Sequence, residues 1–154
     1  MSLRKVIDAV KTTLDRDTLE GKVYPFDFNR LNTLDSESIV IPTFAGSDLE
    51  LVESYGDNYI RQWIIAVNIY TAITTLGPEE AGYLLVDIVE QVVASFEQRP
   101  HLGLGAETDL TIRPISIIRV SPAEIDQQEP DVANWLRSTV FLKVPEAEAT
   151  QATE

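Results

Sequence analysis

The sequence predicts an α+β fold: a mostly antiparallel sheet flanked by two main helices, in the order α-β-β-β-α-β-β. Three observations carry this. Two stretches, near the N-terminus and over residues 79–96, repeat apolar residues at helical spacing. Other runs alternate apolar and polar residues, above all Tyr59–Thr71 and Trp135–Val144. The strands come in runs broken by helices able to cover one face, which suits an antiparallel sheet better than a β-α-β alternation would.

The first helix is expected over about Leu3 to Leu14, with Ser2 as its cap. Leu3, Val6, Ile7, Val10 and Leu14 share one face, while Arg4, Lys5, Asp8, Lys11 and Asp15 lie elsewhere. Residues 15–38 read as a long polar loop with Gly21 and Pro25. Within it Tyr24, Phe26 and Phe28 alternate with Pro25 and Asp27. These rings either pack one face of the core or form a hydrophobic contact that fills only in an assembly.

Ser38 to Phe44 is rich in β-formers and carries Pro42, which points to an edge or an end. Asp48 to Ser54 alternates weakly, and Gly56-Asp57-Asn58 marks a turn. Tyr59 to Thr71 is the longest strand candidate. Trp63, Ile65, Val67 and Ile69 form the better core row. Gln62, Ile64, Ala66, Asn68 and Tyr70 form a mixed row, suited to a partner or to part exposure. Gly77-Pro78-Glu79-Glu80 then opens the second helix, with proline at its first position and acids in its first turn. Leu84, Leu85, Ile88, Val89, Val92 and Phe96 make its stripe, and Pro100 stops it. Residues 99–108 read as a loop, Leu110 to Val120 as a strand, residues 121–134 as a polar loop, and Trp135 to Val144 as the last strand. Residues 1–144 thus form one domain. Residues 145–154 read as an acidic tail without packed structure.

Composition narrows the function. A chain of 154 residues, 44% of them hydrophobic, hides roughly 70% of its unfolded surface and needs no disulfide or metal to hold a core. The absence of cysteine removes disulfide scaffolds, thiolate metal sites and cysteine nucleophiles. Twenty-five acidic residues against 12 basic ones give a net charge of −13. That balance opposes gripping a nucleic-acid backbone or adsorbing to an anionic membrane. Residues 1–20 lack the apolar centre of a signal peptide. The longest uncharged run, Gln62–Pro78, falls short of the ~20 apolar residues that span a bilayer, and a long strand and a turn explain it better.

A search for chemistry yields little. His101 is the only histidine, in a loop with no nucleophile motif beside it. Gly103-Leu104-Gly105 follows a helix and leads into a strand, the reverse of a dinucleotide loop. Carboxylate pairs such as Asp15/Asp17, Glu79/Glu80 and Glu124/Asp126 are expected by chance in so acidic a chain. Weak divalent-ion binding by residues 124–131 is the most that they suggest. No catalytic residue, cofactor site or metal site is assigned. Four arginines fall on expected strands: Arg61, Arg113, Arg119 and Arg137. They either line a solvated sheet face or form a subunit interface, where the guanidinium fork suits carboxylates of a neighbouring copy.

The chain resembles the tail terminator (tail completion) proteins of long-tailed bacteriophages, including the lambda and HK97 group. The resemblance rests on the amphipathic N-terminal helix, the Ile39-Val40-Ile41-Pro42 strand and the long Trp63-Ile64-Ile65-Ala66-Val67-Asn68-Ile69-Tyr70 strand. It continues with the acid-started helix to Phe96, Arg99-Pro100-His101-Leu102, and a final strand ending Val140-Phe141-Leu142-Lys143-Val144. It covers residues 3–144 as an order of elements. It implies a structural, non-enzymatic virion protein without cofactor, made in the host cytoplasm and placed in the tail neck. Copies would form a ring, a hexamer in that family, that caps the tail tube, ends its polymerisation and meets the head-completion (stopper) complex. DNA would pass through unbound, and the acidic excess would then line a bore that repels it. The alternatives are another head–tail connector (neck) protein, or a cytosolic α+β ligand-binding or regulatory module dimeric through its sheet.

Overall fold

A computed structural model of the chain describes residues 2–16, 22–23, 38–51, 59–102, 114–127 and 134–146. It contains α1 (Ser2–Arg16), β1 (Lys22–Val23), β2 (Ser38–Leu51), β3 (Tyr59–Ala72), α2 (Ile73–Leu76), α3 (Pro78–Gln98), β4 (Ser116–Val120), β5 (Glu124–Gln127) and β6 (Asn134–Glu146). The α+β class and the mostly antiparallel sheet are as the patterning predicts. The sheet runs β1-β2-β3-β6-β4, with β5 also on β6; among the described residues only the short β1–β2 pair is parallel.

Period-3.6 spacing builds α1. Val6, Val10 and Leu14 are fully buried, with Ala9 and Thr13 beside them. The Thr13 hydroxyl donates to the Ala9 carbonyl at 2.8 Å, which satisfies a buried polar group inside the turn. The helix begins at Ser2, one residue before the expected Leu3.

β2 and β3, 14 residues each, pair at 13 positions, from Ser38↔Thr71 to Leu51↔Tyr59. The two strands expected at Ser38–Phe44 and Asp48–Ser54 are therefore one. A bulge joins them: Ala45 is extra between Phe44↔Ile65 and Gly46↔Ile64, and Gly46 takes φ 126°, a conformation open to glycine. Pro42 falls beyond the two residues that pair with β1, in keeping with an edge.

The expected core row on β3 is confirmed, with Ile65, Val67 and Ile69 fully buried and Trp63 nearly so. They meet Val40 of β2, Val140, Leu142 and Val144 of β6, and the stripe Leu85, Ile88, Val92 and Phe96 of α3. Each large apolar side chain hidden here contributes roughly 1.5–3 kcal/mol. α3 lies across β3 and β6, and α1 packs on β2 and on α3.

The turn expected after β3 is a one-turn helix, α2. It closes with the Gly77 N–H on the Ile73 carbonyl at 2.7 Å. Gly77 (φ 86°, ψ 158°) then reverses the chain into α3, and the Thr71 hydroxyl ties the end of β3 to the Ala81 carbonyl at 2.9 Å. α3 ends before Pro100. Leu102, at φ 55°, turns back to bury its side chain, and the Ile115 N–H reaches the Pro100 carbonyl at 2.8 Å.

The mixed row of β3 is more buried than expected. Gln62, Ala66 and Tyr70 are buried; Ile64 and Asn68 are half-buried. Ile39, Ile41, Tyr70, Ala72 and Trp135 form a second cluster on this side, with Tyr70 and Trp135 edge to face at 6.3 Å. On the same face Asn68 bridges three strands. It accepts from the Thr139 hydroxyl at 2.8 Å and donates to the Thr43 hydroxyl at 3.4 Å.

The last strand continues through Pro145 and Glu146, opposite Gln62 and Arg61, two residues into the expected tail. Of the strand expected over Leu110–Val120, Ser116–Val120 is strand; residues 103–113, with Gly103 and Gly105, lie outside the described residues.

Candidate interaction surface

One side of β6 is occupied by β3, the other by β4 and β5 in succession. β4 pairs from Ser116↔Lys143 to Val120↔Val140, and β5 from Glu124↔Arg137 to Gln127↔Asn134. The two pieces form one edge strand interrupted at Ser121-Pro122-Ala123. Three residues stand there opposite two, Ser138 and Thr139, so one residue is surplus. Proline has no N–H to donate, and Ser121 compensates. Its N–H donates to the Thr139 carbonyl at 2.9 Å. Its hydroxyl oxygen accepts the Thr139 N–H at 2.9 Å. Its carbonyl accepts from the Ser138 hydroxyl at 2.7 Å. A side-chain oxygen thus stands in where the ladder would supply a carbonyl. β4 carries a second irregularity, between Ile117 and Arg119. The polar loop expected over residues 121–134 therefore contains a strand, because β6 offers it a free edge.

The helix layer does not reach this edge. Between α3 and the joint lies a groove of about 210 Å³, with Leu85, Val86 and Val89 on one wall and Val120 and Ala123 on the other. Ser121 and Ser138 line it too, with their hydroxyls engaged as described, and Glu90 stands at the rim. Apolar side chains spread outward from it. Val120 is 42% exposed, Val86 56% and Ile125 66%. Ile125 pairs with Leu136, which packs on the helix-side core, so it shares that face. Tyr83, one turn before Val86 on α3, is 66% exposed. The volume lies below the ~300–1,000 Å³ usual for small-molecule sites. An apolar strip along a sheet edge suits a macromolecular contact better.

Of the four expected interface arginines, the three among the described residues lie on different strands. Arg137 on β6 is committed to Glu124 of β5 at 2.8 Å. Arg119 on β4 is exposed, opposite Phe141. Arg61 lies far along β3, opposite Leu49 and Glu146. Arg113 lies outside the described residues, as do Tyr24, Phe26 and Phe28. The exposed apolar residues around the groove are hard to read from sequence because their signal is one of misplacement. Tyr83 and Val86 lie off the α3 core stripe, and Ile125 is isolated among acids.

Among the described residues, no three of His, Asp and Glu gather to hold a metal ion. Glu124, at the start of the acidic segment considered for a divalent ion, is turned to Arg137 instead. His101 is exposed. No helix among the described residues is long and apolar enough to cross a membrane. No protein-family model matches the chain, and no curated protein sequence matches it.

Proposed function

We propose that this chain is a structural virion protein of a long-tailed bacteriophage, a tail terminator. Its copies form a ring that caps the tail tube, ends its polymerisation and joins the tail to the head-completion complex. The observation that carries the reading is the uncovered edge of the helix-side sheet face, where Tyr83, Val86, Val120 and Ile125 are exposed beside a groove. Apolar side chains gathered along one edge suit permanent contact with protein. The order of elements agrees with the resemblance: amphipathic helix, long antiparallel hairpin, acid-started helix, then strands ending on β6. The charge of −13 fits a ring around a DNA path, since a bore lined by carboxylates does not grip the passing polyanion.

The test is the native mass of the purified chain, alone and with tail tube protein. A closed ring, or a ring formed on the end of assembled tube with shortened tube length, is the expected result. A chain that stays monomeric, leaves tube length unchanged and binds a metabolite overturns the reading.

A further inference from the structure

The two helices divide charge unequally. α3 carries Glu79, Glu80, Asp87, Glu90 and Glu97 and no lysine or arginine. All five carboxylate residues are exposed. α1 carries Arg4, Lys5, Lys11 and Arg16 against Asp8 and Asp15, a formal surplus of positive charge in a chain of net −13, with Lys11 already paired to Asp15 at 2.8 Å. The helices also sit toward opposite edges of the sheet. α1 covers β2, where Phe44 remains 40% exposed on the helix side, its ring edge to face with Trp63 at 6.2 Å. α3 borders the groove at the β4–β5 edge. One side thus carries a locally basic helix beside a projecting aromatic ring, on a strand that itself holds Asp48 and Glu50; the other is acidic with an apolar hollow.

We propose that copies of this chain join head to tail, the α1–Phe44 side of one seating in the groove between α3 and the β4–β5 edge of the next. Two copies of net −13 repel in most orientations. A two-fold contact through the groove would set five carboxylates against five. A two-fold contact through α1 would set its basic surplus against itself. The unlike pairing sets the basic surplus of α1 against the carboxylates of α3, and it also places an apolar ring against an apolar hollow. A contact between two different surfaces does not end at a dimer; it continues until the rotation closes a ring. This inference rests on the ring reading above and specifies which surfaces meet.

The chain has no cysteine, so single thiols report cleanly. Ala45, next to Phe44, and Ala123, on the groove wall, are both exposed. A45C and A123C are mixed and treated with a short bismaleimide, while native mass spectrometry follows assembly. The expected result is a mixed A45C–A123C dimer and little product from either variant alone. Val86→Asp and the pair Asp87→Lys with Glu90→Lys should each weaken assembly at least about tenfold, which is 1.4 kcal/mol. Higher salt should weaken it too. Assembled copies that link only A45C to A45C or A123C to A123C, or not at all, overturn the proposed contact and leave the ring reading intact. Protection of A123C from maleimide only after tail tube protein is added assigns the groove to the tube and overturns it likewise. A chain monomeric at every concentration, with and without tube protein, overturns both.

Discussion

Replacing Ser121 with alanine tests the joint between β4 and β5. The substitution removes one atom, the hydroxyl oxygen that accepts the Thr139 N–H at 2.9 Å. The Ser121 N–H and carbonyl keep their bonds to the Thr139 carbonyl and the Ser138 hydroxyl. Thr139 is only 6% exposed, so its N–H loses its partner in a place that water reaches poorly. An orphaned buried donor costs about 1–3 kcal/mol; with Ser121 itself half-buried, the lower part of that range applies, about 1–2 kcal/mol. In urea this lowers the midpoint by about 0.5–1 M at unchanged slope. In a chain of this size the melting temperature falls by about 2–4 °C per kcal/mol. Hydrogen exchange gives the local readout: the Thr139 amide should exchange about 5–30-fold faster, a larger change than at Val140 or Leu142. An unchanged midpoint together with unchanged exchange at Thr139 would refute the argument. The joint would then stand on its backbone bonds alone, with water replacing the hydroxyl.

Three further outcomes follow from the packing. Phe96→Ala, at a fully buried site in the core, should cost about 3–5 kcal/mol in denaturant unfolding. Gly77→Ala meets no neighbour within 4 Å but places a side chain at φ 86°, so calorimetry should show a loss of about 1–3 kcal/mol from backbone strain alone. Arg137→Ala breaks an ion pair whose side chains are 37% and 55% exposed, so the loss should stay below about 1 kcal/mol and shrink further in high salt.

Most of the framework was legible because local rules and tertiary packing agree in it. Val6, Val10 and Leu14 repeat at helical spacing and are buried at that spacing. The alternation at Trp63, Ile65, Val67 and Ile69 is the inward row of β3, and Gly77-Pro78 starts α3 where the turn chemistry says it should. The misses share one cause: the deciding partner is distant in sequence. The sequence break around Ala45-Gly46 looks like a strand end, yet the unbroken β3 opposite holds both halves as one strand across a bulge. Glu124–Gln127 has too few apolar residues to read as a strand, yet the open side of β6 pairs it. Gln62 and Asn68 look solvent-facing by residue type. Their burial is set by what neighbouring strands bring, as Thr43 and Thr139 do for Asn68. The Arg137 ion pair was illegible for the same reason, since Glu124 reaches Arg137 only through the β5–β6 pairing.

The irregular edge also bears on what kind of partner the chain can accept. A straight exposed edge strand invites any other strand to pair with it, which ends in aggregation more often than in a defined ring. Here the edge is broken twice. The ladder slips between Ile117 and Arg119, and Pro122 stands in the three-residue joint with no N–H to offer. Continuous backbone pairing with an incoming strand is therefore disfavoured along β4 and β5. What remains on this side is a side-chain surface, with the groove between Val86 and Val120, the projecting Ile125 and the carboxylates of α3. Such a surface discriminates by shape and charge, which backbone pairing does not. The same Ser121-Pro122-Ala123 joint that protects the edge also supplies a wall of the groove. Loss of the Ser121 hydroxyl should therefore disturb association as well as stability.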